Sequence, residues 1–181
     1  MAKQFPAFEA QHSDFAAAQH IFFVATAAQD GRVNLSPKGG DSLRILGPNR
    51  LLWRNITGSG NETAGHLRQS PRMTLMWCSF DSRPIILRAY GTARAVHRGD
   101  ADWDALNAHF APHAGARQVF DMAVDLVQTS CGFAVPLMEF TADRDTLDKW
   151  SDARGAGAMA DYWCEKNQTT IDGAPTGIPT Q

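Results

Sequence analysis

The sequence predicts an α+β fold organised around one antiparallel, barrel-like sheet. Four strand-like runs fall between His20 and Arg54 at roughly 8–12-residue spacing, too close together for βαβ units. Tight-turn signals, Asp30-Gly31 and Gly47-Pro48-Asn49, punctuate them. Two longer apolar runs, Arg72 to Phe80 and Pro84 to Val96, follow one short helical segment instead of alternating with helices.

Residues 1–14 contain Pro6 and read as a loose arm. His20 to Ala28 is β-branched and aromatic, which favours a buried strand. Asp30-Gly31 suits the positive φ values of a hairpin, so Arg32 to Ser36 is the return strand. Pro37 to Asp41 is a loop, and Ser42 to Leu46 and Leu51 to Arg54 are strands around the Gly47-Pro48-Asn49 turn. Asn55 to Asn61 is a glycine-rich loop. Ser59-Gly60-Asn61-Glu62 fits a capping box, so a short helix is expected from about Gly60 to Gln69, closed by Pro71. Gly91, inside the second long strand, predicts a bulge or a close backbone approach.

Asp100 is expected to cap a helix carrying Trp103, Leu106 and Phe110, with Pro112 at its end. Val119, Ala123, Leu126 and Val127 then share one face of a second helix. Cys131 to Thr141 reads as another strand. Asp143 to Asn167 reads as a long final helix weakened by Gly155 and Gly157, and residues 168–181 as an extended tail. The whole chain, 1–181, is expected to form one domain.

Composition excludes several classes. At 44% hydrophobic and 20% charged residues the chain is not disordered in bulk. A net charge of −2 argues against an electrostatic nucleic-acid binder. The longest apolar run, Ile21 to Ala28, is far shorter than the roughly 18 residues that span a bilayer. The residues before it lack a basic n-region and an apolar h-region, and the three cysteines have no metal-type spacing, so a cytoplasmic protein is expected.

Two segments stand out chemically. Asn34-Leu35-Ser36-Pro37-Lys38-Gly39-Gly40-Asp41 ends a strand with small hydrogen-bonding side chains and an ammonium. Thr57-Gly58-Ser59-Gly60-Asn61-Glu62-Thr63 lets the backbone approach a ligand just before a helix, an arrangement that suits a phosphate. The loop lacks the Gly-Lys-Ser/Thr ending of a P-loop and the βαβ context of a dinucleotide fingerprint. The six histidines have no metal-ligand spacing on one credible helix, and there is no Gly-x-Ser-x-Gly elbow.

Taken in order, Asn34-Leu35-Ser36-Pro37-Lys38-Gly39, Gly58-Ser59-Gly60-Asn61-Glu62-Thr63, Arg72-Met73-Thr74-Leu75-Met76 and Pro84-Ile85-Ile86-Leu87-Arg88 resemble the FMN-binding split-barrel family related to pyridoxamine 5′-phosphate oxidase. Ser130 to Pro136 and Ile171 to Pro175 continue the resemblance, which spans about residues 15–175. It implies a six-stranded antiparallel split β-barrel with peripheral helices, working as a homodimer with FMN at the interface. By this resemblance Lys38 meets the FMN phosphate, Asn34 and Ser36 touch the ring edge, and Ser59, Asn61 and Thr63 add phosphate contacts. Arg72 and Arg88 lie near the cofactor by the same argument.

The sequence also departs from the oxidase. Glu62 and Thr63 stand where the oxidase has adjacent basic residues, Ile86 replaces a glutamine, and the basic C-terminal segment is absent. The implied function is therefore an FMN-dependent oxidoreductase other than the oxidase itself. Its alternatives are a non-catalytic flavin- or haem-binding protein and an F420-dependent reductase, whose acidic cofactor would call on Arg44, Arg50 and Arg54. Trp77, Trp150, Tyr162 and Trp163 are candidates to cover the ring.

Overall fold

A computed structural model describes residues 2–180. The elements in chain order are β1 (Lys3–Phe5), α1 (Ala10–Ala17), β2 (Ile21–Thr26), β3 (Asn34–Gly39), β4 (Leu43–Gly47), β5 (Arg50–Ile56), α2 (Glu62–Leu67), β6 (Arg72–Cys78), β7 (Ile85–His97), α3 (Trp103–Asn107), β8 (Ala116–Cys131) and α4 (Thr146–Lys166). All the strands join one antiparallel sheet in the order β3-β2-β6-β7-β8-β5-β4, with β1 added to the far end of β8.

The sheet is curled. β3 and β5 are five strands apart in that order, about 24 Å in a flat sheet at about 4.8 Å per strand. Yet the Lys38 Nζ of β3 lies 5.1 Å from the centre of the Trp53 ring on β5. The corner between β3 and β4 closes the curl. Gly40 adopts a positive φ of 63°, and the Arg54 amide donates to the Ser42 carbonyl at 2.8 Å. Inside the curl lies the main core, including Val24, Leu51, Trp53, Leu75, Trp77, Leu87, Phe120, Met122 and Val127. The α+β split-barrel class expected from the sequence is the fold observed, with eight strands in place of six.

Residues 116–131 correct the expected second helix: they form the longest strand, paired to β7 along one side and to β5 and β1 along the other. Phe120, Met122 and Val124 are buried, and Ala123 and Asp125 are exposed, a period-two pattern. Between Tyr90 and Gly91 the register slips by one residue, leaving Asp125 as the extra residue of a bulge. The bulge resets the phase so that Val127 is buried. Phe120, Val124 and Val127 therefore recur at helical spacing on a strand.

Gly91 sits at this bulge, as its position in the strand predicted. A Cβ built there would collide with the Ala123 carbonyl. Three other elements differ from expectation. The return strand runs over Asn34–Gly39 instead of Arg32 to Ser36, so Pro37, Lys38 and Gly39 extend it where a loop was expected. The arm contains β1 and α1, which the Glu9–His12 pair caps. Residues 132–145 form no strand, since the chain turns away at Gly132 and is tied back by the Met138 amide on the Phe80 carbonyl. The long helix α4 does break at Gly155, one of the two glycines expected to weaken it, with φ 68° and ψ 174°. No helix among the described residues is long and apolar enough to cross a membrane.

Gly91→Ala is expected to destabilise the protein by about 3 kcal/mol or more, because backbone on a fully paired strand cannot yield to the new methyl. Urea unfolding measures this, and a loss under about 1 kcal/mol would contradict the close approach.

Candidate functional site

The alternating face of β3 puts Asn34, Ser36 and Lys38 on the inside of the curl and leaves Leu35 and Pro37 exposed. Opposite them stand Trp53 and Asn55 of β5, the loop Gly58 to Asn61, Thr63 at the start of α2, and Arg117 of β8. Together they enclose a cleft of about 250 Å³. Of the residues singled out in the sequence, Asn34, Ser36, Lys38, Ser59, Asn61 and Thr63 line this cleft. Arg72 and Arg88 do not. Arg72 is exposed and donates to the Ser70 hydroxyl at 3.0 Å, and Arg88 donates to the Ser130 hydroxyl at 3.1 Å.

The cleft wall is a chain of hydrogen bonds. The Ser36 hydroxyl donates to Asn34 Oδ1 at 2.9 Å, and Asn34 Nδ2 donates to Thr63 Oγ1 at 3.3 Å. Thr26 Oγ1 lies 3.1 Å from His66 Nδ1 and 3.4 Å from Thr63 Oγ1. These bonds fix the rotamers of Asn34 and Ser36 and leave Ser59 as an exposed hydroxyl. Asn61 lines the cleft, but its amide is committed elsewhere. It donates to the Asn167 carbonyl at 3.2 Å and accepts from Gln118 Nε2 at 2.7 Å. It makes no side-chain cap on α2, and Glu62 instead accepts from the Ile171 amide at 3.1 Å, so the expected capping box does not form.

Long-range contacts hold the glycine-rich loop from behind. Arg117 donates to the Gly58 carbonyl at 3.4 Å and to the Gly60 carbonyl at 3.0 Å. Asn167 Nδ2 donates to the Gly58 and Ser59 carbonyls at 3.1 and 3.2 Å. Trp163 Nε1 donates to Thr57 Oγ1 at 2.8 Å. Three successive carbonyls thus point inward. In a trans peptide the N–H is opposed to the C=O, so the amides of Ser59, Gly60 and Asn61 point the other way. Among the described residues none of the three donates within the chain. Successive free amides of this kind form an anion-binding concavity.

The electrostatics agree. Arg117 is 2% exposed, and burial lowers its pKa to about 10. Its Nε has no partner among the described residues, and with the Asn55 carboxamide oxygen turned towards Nη2, at 2.7 Å, the guanidinium gains a third acceptor. Burial, and then the positive charge of Arg117, lower the Lys38 pKa from 10.5 to about 8. Glu62, engaged by Ile171, is the only acid lining the cleft among the described residues. Two cations therefore share a partly dehydrated space without a counterion.

Trp53, Asn55 and Arg117 escaped the sequence reading. Trp53 and Asn55 alternate on one strand face, a signal that was available. Arg117 gave none, because its segment has helical spacing. The candidate ring-covering aromatics lie outside the cleft: Trp77 is core, Trp150 packs edge-on against Tyr162, and Trp163 braces Thr57 from behind. Arg44 is paired with Asp41, Arg50 with Asp121, and Arg54 is buried against the Ala111 carbonyl, so the three form no free basic groove.

Asn167→Ala is expected to destabilise by about 1–3 kcal/mol by orphaning the loop carbonyls. Amide exchange in residues 57–61 should rise with it, and an unchanged exchange pattern would contradict the bracing. Lys38→Met should stabilise the unliganded protein by about 1–3 kcal/mol at pH 7. The Lys38 pKa is lower in the folded chain, so wild-type stability rises with pH between about 8 and 10.5, and the variant lacks this rise. Denaturation at both pH values checks the sign.

Comparison with known proteins agrees with this architecture. The pyridoxamine 5′-phosphate oxidase family model matches residues 8–131. The pyridoxamine 5′-phosphate oxidase family protein ustO of Aspergillus flavus is 34% identical over 180 residues, covering 90% of this chain and 72% of that one. Among solved structures, a candidate pyridoxamine 5′-phosphate oxidase from Lactobacillus delbrueckii matches with a TM-score of 0.56 at 19% identity, over 68% of this chain and 94% of that one. Group A Streptococcus HupZ matches with a TM-score of 0.50 at 18% identity, over 66% and 91%. These two structures speak to the fold alone, while the sequence matches speak to descent, and by them the chain belongs to the pyridoxamine 5′-phosphate oxidase family.

Proposed function

We propose that the protein is an FMN-binding flavoprotein, acts as an FMN-dependent oxidoreductase, and does so as a homodimer in the cytoplasm. One observation carries the cofactor: Lys38, with buried Arg117 behind the loop, faces a cleft whose only acid among the described residues is already engaged. A phosphate is the natural counterion for such a pair, and it also satisfies the free amides of Ser59, Gly60 and Asn61. Lys38 holds the phosphate as a point charge, and the Ser59 hydroxyl adds a donor. Asn34, Ser36 and Thr63 present fixed polar atoms above it. Arg117 acts from below the loop, holding its carbonyls inward and so its amides outward.

A cleft of about 250 Å³ takes the phosphate end and leaves the ring to a neighbouring surface. Val33 and Leu35, 74% and 63% exposed, add apolar area on the outer side of the strand that carries Lys38. In the homodimer reading a second copy covers this area, and Arg72 and Arg88 contact the cofactor through that partner. When bound, FMN supplies acceptance of a hydride or electron pair at its ring. The chain's own part is to bind the phosphate, fix its place and keep water from it with the buried Trp53 and Phe120 behind Lys38.

Fluorescence titration with FMN tests the reading. Lys38→Ala should weaken binding about tenfold or more. Wild-type affinity should fall as pH rises through about 8, where free Lys38 loses its proton, and the variant should lack that dependence. Absence of FMN binding by the wild type, or equal affinity in the variant, would overturn the proposal.

A further inference from the structure

A second pocket, of about 330 Å³, lies at the opposite end of β8 from Arg117. Its walls come from β1, α1, the start of β7 and the end of β8. Phe5, Phe15, Ile85 and Leu87 supply an apolar floor. Lys3 and Arg83, both exposed, stand at its rim, and the Arg83 guanidinium lies 5.9 Å from the centre of the Phe15 ring.

The polar group at its base is His12, 4% exposed. Its Nδ1 accepts the Glu9 amide at 3.1 Å, which places the proton of the neutral ring on Nε2. Among the described residues Nε2 makes no hydrogen bond, and it is absent from the fully enclosed, unpartnered atoms, so it is reached from the pocket. Nε2 is thus an N–H open to the pocket, placed to donate to an acceptor on whatever occupies it.

Among the described residues no carboxylate lines the pocket. Glu9 is turned to the Gln11 amide, 2.7 Å away. Asp81, on the far side of Arg83, accepts from the Ser79 hydroxyl and the Arg83 amide. Asp14 also lies on that far side.

We propose that this pocket is a second binding site, for a small organic carboxylate with an apolar body. The body lies on the four apolar side chains, and the carboxylate accepts from His12 Nε2 and faces Lys3 and Arg83. A cation would meet two like charges at the rim. A purely apolar molecule would leave Nε2 unpaired, and an inorganic anion would leave the apolar floor in water. The volume falls in the range of small-ligand sites. This site is independent of the flavin reading.

Cys131 provides the test, since it lines the pocket and is exposed, whereas Cys164 is exposed elsewhere. The probe is 4-phenylbutanoate, added to the intact wild-type protein during alkylation by iodoacetamide, with each cysteine followed by peptide mass mapping. Expected is a saturable slowing at Cys131 in the millimolar range or below, with Cys164 unaffected. The neutral amide, 4-phenylbutanamide, should not protect. Arg83→Gln, at an exposed position, should shift the protection curve roughly two- to fivefold. His12→Asn keeps an acceptor for the Glu9 amide but removes the Nε2 donor, and should shift it about tenfold. Absence of saturable protection overturns the proposal, as does equal protection by the amide or an unshifted curve in Arg83→Gln.

Discussion

An arginine removed from water must be given acceptors, and at Arg117 those acceptors are the carbonyls of the site loop. The effective penalty for burying such a charge is several kcal/mol per ion, which makes its partners hard to release. Gly58 and Gly60 meet that demand with their carbonyls, and Asn167 completes the set at Ser59. The orientation of each peptide unit in the loop follows, and with it the outward direction of three amides. The same buried charge depresses the Lys38 ammonium across the cleft. One desolvated side chain near the start of β8 thus shapes the loop and sets the electrostatic character of the space before it.

The parts of this arrangement that rest on local chemistry were legible in the sequence. The pairing of β2 with β3 around Asp30-Gly31, the polar face at Asn34 and Ser36, the glycine-rich approach to α2 and the tight spot at Gly91 follow from residue type and spacing, whereas the extension of β3 through Lys38 to Gly39 does not. The illegible parts share a cause. β8 is buried on both faces from Ala116 to Phe120 and alternates by two only from there to the Asp125 bulge, whose shifted phase turns a strand pattern into a helical one. With β8 misread, Arg117 had no place near the loop. Asn61 likewise looked like a ligand residue, whereas contacts 57 and 106 residues away in sequence turn it into a brace. Local periodicity carries no information about partners at such separations.

The two ends of β8 serve different environments. At Arg117 the strand is enclosed on both faces, polar and dehydrated. At Cys131 it leaves the sheet into an irregular stretch with Phe133, Leu137, Met138 and Phe140 exposed, beside a pocket with an apolar floor and a basic rim. A single long strand therefore joins two unlike concavities, and the Asp125 bulge lies between them. Soluble monomers seldom leave so many large apolar side chains close together in water.

The bracing of the loop also fixes an order of events. Asn167 and Trp163 reach back more than 100 residues to Gly58 and Thr57, and Asp172 reaches 140 residues to the Arg32 amide at the hairpin tip. Contacts with such sequence separation close late, after the entropy of a long loop has been overcome. On the ribosome, the sheet strands up to β8 emerge well before residues 163–172 do. A nascent chain can therefore hold the sheet strands while its site loop still has loose carbonyls, and the bracing of that loop is complete only with the last turn of α4 and the segment after it.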